Sequence, residues 1–186
     1  TTRVNEFTVM TQHTDSHKHT GKELTRHSIT GRYCPGNSSP HAEGSPQATA
    51  SVDAMCKALQ SPWPVIIETA AAFALATTGS TCQLAGGGIA VIAGRPLFRD
   101  QRLADLAKRE GAAAALASGY ETCSHEIFTR LYGAFCCVII DPSADRVLIA
   151  IDRLGQHSMY YHTEAGTLSF GSFAAGAGFV NPSTAV

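Results

Sequence analysis

Thr1, Ser28 and Cys34 are the side chains near the start of the compact sequence that could serve as nucleophiles, and His27 stands among them. A Thr, Ser or Cys at a free chain start is activated by its own α-amine, which acts as general base. Thr1 carries such an amine but is held away from the first apolar strand by the polar stretch that runs to Arg26. Ser28 would need cleavage after His27, and a one-residue shift that turns the faces of its strand over. Cys34 opens a loop rich in Pro, Gly, Asn and Ser that reaches Pro46. The six cysteines (Cys34, Cys56, Cys82, Cys123, Cys136 and Cys137) show no Cys-x-x-Cys spacing. They read as small apolar residues of a reducing compartment. His13, His17 and His19 lie close together in the polar run, where they are surface residues and no metal site is expected. Gly86-Gly87-Gly88 lacks the Lys-Ser/Thr of a phosphate loop and reads as a turn.

The elements that must position any of these side chains follow from apolar periodicity. With 186 residues the chain suits one domain, burying roughly 70% of its unfolded surface. A formal net charge of −1 gives no electrostatic reason to expect nucleic acid or an acidic membrane. No run approaches the ~20 apolar residues of a membrane span and no signal peptide is visible, so a soluble cytoplasmic protein is expected. Thr1 to Arg26 reads as a flexible polar leader. His27 to Tyr33 reads as a strand. Val52, Met55, Cys56 and Leu59 fall at helical spacing, and Pro62-Trp63-Pro64 ends that helix. Val65 to Thr78 is ambiguous, since its Val and Ile favour a strand and its Ala a helix. Ile89 to Ala93 reads as a short buried strand. Leu103, Leu106 and Ala107 give a second helix that continues into an alanine-rich stretch, and Ile127, Phe128 and Leu131 give a third.

The C-terminal third is the most specific part: Gly133-Ala134-Phe135 leads an apolar run to Asp141, and a second run ends in Asp152-Arg153-Leu154-Gly155-Gln156, with Tyr160-Tyr161 behind. Ala134 to Ile140 reads as a strand covered on both faces. Asp141 to Asp145 is turn chemistry, so Val147 to Ile151 pairs back as a hairpin with a loop of about 3–5 residues. A second hairpin is expected around Glu164-Ala165-Gly166. Asp152 and Arg153 place opposite charges at a strand end, where a structural ion pair would hold the Gly155 loop. Together these residues resemble the closing half of the class II glutamine amidotransferase domain that opens asparagine-synthetase-type enzymes. The resemblance implies an α+β fold of the Ntn-hydrolase type, a four-layer αββα sandwich of two mainly antiparallel sheets. It spans 27–178, with 179–186 as a tail or the start of a linker to a synthetase domain.

The same resemblance shows what this chain lacks. The family's nucleophilic cysteine opens a Cys-Gly-Ile-x-Gly strand, and aligning Ile29 and Gly31 puts His27 at its position. Imidazole cannot form the thioester that glutamine hydrolysis requires. The family's Arg-Gly-Pro-Asp loop is represented around Trp63, with no arginine to grip a carboxylate bidentately. Its Asn-Gly-Glu turn becomes Ala93-Gly94-Arg95, and near Gly119 to Thr122 only Glu121 remains of an acidic motif. No catalytic residue is therefore assigned, and Trp63, Gly94, Arg95 and Glu121 form a degenerate glutamine site. Relatives that lose the nucleophile, β-lactam synthetases and lasso-peptide cyclases, join a substrate amine to a carboxylate. The expected role is thus a non-hydrolytic domain of an ATP-dependent amide ligase, with the Asp152–Gln156 run closer to the peptide-cyclase branch. No cofactor is expected in this chain. ATP and Mg belong to a partner synthetase domain, and a peptide is the expected substrate. The alternatives are an active N-terminal nucleophile amidohydrolase and a standalone scaffold or binding domain.

Overall fold

The computed structural model describes residues 6–10, 29–33, 66–70, 73–164 and 167–172. Within them the chain passes through β1 (Glu6–Met10), β2 (Ile29–Tyr33), β3 (Ile66–Ala70), β4 (Phe73–Thr77), β5 (Ser80–Gln83) and β6 (Ile89–Phe98). Helices α1 (Gln101–Glu110) and α2 (Ala112–Cys123) follow. The chain then forms β7 (Leu131–Asp141), β8 (Arg146–Ile151), β9 (Tyr160–Glu164) and β10 (Thr167–Gly171). A 3-10 helix over Ser124–Arg130 leads into β7, and a shorter one over Pro142–Ala144 turns β7 into β8.

The strands form two five-stranded sheets, ordered β1-β8-β7-β6-β5 and β3-β4-β2-β10-β9. All pairings are antiparallel except that of β1 with β8. β7 lies at the centre of its sheet and pairs with β8 from Cys136↔Ile151 to Asp141↔Arg146. Its side chains alternate as a strand's period of two requires. Cys136, Val138 and Ile140 enter a core shared with Ile29, Phe73, Leu75, Leu168 and Phe170 of the second sheet. Phe135, Cys137 and Ile139 pack beneath the helices with Leu116, Ile127 and Phe128. An unbroken apolar run is what a strand buried on both faces needs. The architecture is α+β, two stacked and mainly antiparallel sheets with helices on the outer face of one. The helix expected over Val52 to Leu59 lies outside the described residues.

Local chemistry explains the helical layer. Asp100 caps α1 by accepting from the N–H groups of Arg102 and Leu103, at 2.9 and 3.4 Å. Gly111, at φ 98°, closes it by donating its N–H to Ala107. α1 buries no residue fully, whereas α2 buries Ala113, Ala115, Leu116, Ala117, Gly119 and Tyr120. Two tyrosines clamp the β7–β8 turn. Tyr120 Oη donates to Asp141 Oδ2 at 2.8 Å, and Tyr33 Oη to Asp145 Oδ1 at 2.7 Å. Burial and the bond to Asp141 push the Tyr120 phenol up to about 12. Burial works against ionisation of Asp141, but donors on Ser143, Tyr120 and Ala144 outweigh it and hold that carboxyl below its ordinary value.

Several expectations are corrected. Residues 6–10 were expected in a flexible leader; they form β1, paired in parallel with β8 from Glu6↔Arg146 to Met10↔Ala150. Glu-Phe-Thr-Val alternates polar and apolar residues, and a strand needs only four or five such positions to add to an open edge. The third helix is a 3-10 segment that stops at Arg130, and Leu131 already belongs to β7. The ambiguous stretch is a β3–β4 hairpin, in register from Ile66↔Thr77 to Ala70↔Phe73. The short strand at Ile89 runs on to Phe98 because β7 pairs with its full length.

Candidate functional site

Three segments meet at one end of the sandwich. The first is the start of β2, where Ile29 donates its N–H to Ser172 Oγ at 3.0 Å. Ser172 returns its own N–H to the Ile29 carbonyl at 2.8 Å and its hydroxyl to the same oxygen at 3.2 Å. The Ser172 side chain also stands beside the Cys136 thiol, and Cys136 lies across from Ala93 of β6 and Ile151 of β8. The second segment is therefore β6 at Ala93-Gly94-Arg95, and the third is the turn that follows β8.

Gly94 is required by geometry. Its φ is +101°, and a side chain there would collide with the Ala134 carbonyl and stand 2.7 Å from His157 Nε2. Across the ribbon Gly133, at φ +90°, has no room for a side chain against the Arg95 carbonyl. Beyond these two glycines β6 and β7 continue past the sandwich, leaving the cross-strand pair Leu97 and Tyr132 about half exposed.

The turn after β8 is organised by Asp152, which is only 2% exposed. Its carboxylate accepts from the N–H groups of Leu154 (3.0 Å), Gln156 (3.1 Å to one oxygen and 3.3 Å to the other) and His157 (3.3 Å). Its own backbone N–H reaches the Phe135 carbonyl at 2.9 Å, and its carbonyl takes the N–H of Gly155 at 3.0 Å. The expected Asp152–Arg153 ion pair does not form; Arg153 is exposed, and the buried charge is met by backbone dipoles. Three fixed N–H groups satisfy a carboxylate without ordering a long side chain.

Among the residues expected at the glutamine site, Gly94 and Arg95 do lie at this end, with Arg95 exposed. Glu121 does not. Its carboxylate accepts from Ala85 N–H at 2.9 Å, in the turn before β6, on the order of 20 Å from Gly94 along the strand. Thr1, His27, Ser28, Cys34 and Trp63 lie outside the described residues. Gly133, Phe135, Asp141, Asp152 and Gly155 lie in the β6–β8 ribbon and its turns. Tyr160 and Tyr161 lie half exposed on β9, at the edge of the second sheet. Ser172 and His157 were not singled out from the sequence. A hydroxyl just past a strand end, and a residue five positions after a turn-forming Asp, were their only signals.

Chemically, this end contains a thiol but not a thiolate, because burial pushes Cys136 up to about 12. Among the described residues no group of three or more His, Cys, Asp and Glu is placed to hold a metal ion. Gly86-Gly87-Gly88 offers no phosphate cradle, since Gly88 is packed against the Ile140 carbonyl and Gly86 faces Ser143 Oγ. No described helix is long and apolar enough to cross a membrane.

Residues 101–175 match the family model described as a glutamine amidotransferase domain. The matched stretch contains α1, α2 and β7 to β10, and with them the Asp152 turn and Ser172. No curated protein matches the chain.

Proposed function

We propose that this chain is a glutaminase-like domain that does not hydrolyse glutamine and serves an ATP-dependent amide ligase of the asparagine-synthetase type. The observation that carries this reading is the contrast at Gly94. The glycine with its special backbone is present, while its neighbours Ala93 and Arg95 offer neither the amide nor the carboxylate that the resemblance would place there. The Ala93 methyl is 3% exposed and turned into the core between the sheets. Arg95 puts a cation where the resemblance would place a carboxylate. The scaffold remains and the substrate-reading groups do not.

In the proposed system the synthetase domain, with ATP and Mg, transfers an adenylyl group to a substrate carboxylate and releases pyrophosphate. An amine of the same substrate, which we take to be a peptide, then attacks the acyl carbon, and AMP leaves as the amide closes a lactam or macrolactam. Ammonia has no place in this sequence, so a glutaminase site would contribute nothing. The domain acts as a packing platform and a wall beside the ligase site.

Incubating the purified chain with glutamine and measuring glutamate is the direct test. Release no faster than that of a His27→Ala variant is expected, because nucleophile and base act as a unit and both are missing from the pattern. Turnover abolished by thiol alkylation would make Cys34 the nucleophile and overturn the reading. Turnover abolished by blocking the N-terminal amine would do the same in favour of Thr1.

A further inference from the structure

Helices α1 and α2 form an antiparallel pair joined at Gly111, and a groove of about 380 Å³ opens between them and Arg130. Pockets of this size hold small molecules. Leu103 and Leu106 contribute apolar surface, while Arg102, Arg109 and Arg130 supply charge. Arg102 and Arg109 are seven residues apart, two turns along one face of α1, which separates their backbones by about 10 Å.

The two acids of the groove are already engaged. Asp100 Oδ1 caps α1, and its Oδ2 stands 3.8 Å from Arg130. Asp105 Oδ1 accepts from Gln101 Nε2 at 3.0 Å and Lys108 Nζ at 3.2 Å. Arg102 and Arg109 donate no hydrogen bond among the described residues, and Arg109 acts on Asp105 only at a distance, as one of the cations that hold its carboxyl below the ordinary value. The groove thus offers two planar guanidinium forks about two helical turns apart and a third side chain oriented by Asp100. The surplus is local, since the chain as a whole carries a formal charge of −1.

We infer that this groove binds a small organic polyanion whose charged groups are carboxylate or phosphoryl oxygens. Arg102 and Arg109 hold its two ends, as bidentate pairing with either oxyanion favours. The site lies on the helical layer and does not depend on the proposed ligase role.

Titration calorimetry at low salt tests it, with inorganic tripolyphosphate in one arm and citrate in the other. Saturable one-site binding in at least one arm is expected, and the arm that binds more tightly identifies the phosphoryl or carboxylate class. R102Q/R109Q should weaken it by about tenfold or more, and a control R32Q/R153Q, which removes two exposed arginines elsewhere, by less than about twofold. Both variants are compared at matched circular dichroism, with R109Q alone replacing the pair if the double variant melts early. Absence of saturation up to about 10 mM in both arms, or equal weakening by the two double variants, would overturn the inference.

Discussion

At the scale of single residues, Asp152 and Arg153 separate cleanly although they are neighbours in sequence. Asp152 is buried and holds three N–H groups of one turn, so Asp152→Ala removes the acceptor of all three at once. Taking their buried acceptor away from these donors should cost about 2–4 kcal/mol. Arg153 points to solvent, and Arg153→Ala should change stability by no more than about 0.5 kcal/mol. Thermal melts of the two variants side by side check both statements, and a large loss at Arg153 would restore the ion pair that the geometry lacks.

At the scale of elements, the β7–β8 turn is held from both layers, by Tyr120 of α2 and Tyr33 of β2. Tyr120→Phe removes one charge-assisted bond and should destabilise by about 1–2 kcal/mol near neutral pH. Linkage fixes the sign at both extremes. The Asp141 pKa is lowered by folding, so its contribution is present above the unfolded carboxyl value and is lost as the pH falls through the folded one. The Tyr120 pKa is raised, so its contribution is full below the unfolded phenol value near 10 and is lost as the pH rises towards about 12. Urea midpoints measured across pH should therefore differ most between wild type and Tyr120→Phe in the middle of the range and converge at both ends. A constant difference throughout would show that the phenol acts by packing alone.

At the scale of the whole molecule, the two sheets adhere through one apolar layer. Phe170 of β10 is fully buried there and lies over Gly31 of β2, which is paired with it and has no side chain to compete for the space. Phe170→Ala should cost about 3–5 kcal/mol. Urea unfolding followed by near- and far-ultraviolet dichroism reads this loss. Coincident transitions at a lower midpoint are expected, because both sheets border one continuous core strand, β7. A loss below about 1 kcal/mol would mean that the sheets are joined elsewhere.

What the sequence determined by itself are the features written in short-range pattern. The unbroken run from Ala134 to Ile140 demanded a doubly covered strand, Asp141-Pro142 demanded a turn, and the alternation in Thr167 to Phe170 demanded a strand beside Tyr160-Tyr161. Each depends on neighbours a few residues away, so each could be read locally. Tertiary structure alone decided the rest. It paired residues 6–10 with β8, 140 positions on, and lengthened β6 to match β7. It resolved 66–77 into two strands, although alanine and β-branched residues argued in opposite directions there. It placed Glu121 beside Ala85 and not Gly94, and turned the Asp152 carboxylate onto backbone N–H groups in preference to the adjacent Arg153. The physical reason is common to these cases. Propensity and charge proximity are worth fractions of a kcal/mol, whereas completing a sheet edge or satisfying a buried carboxylate is worth several.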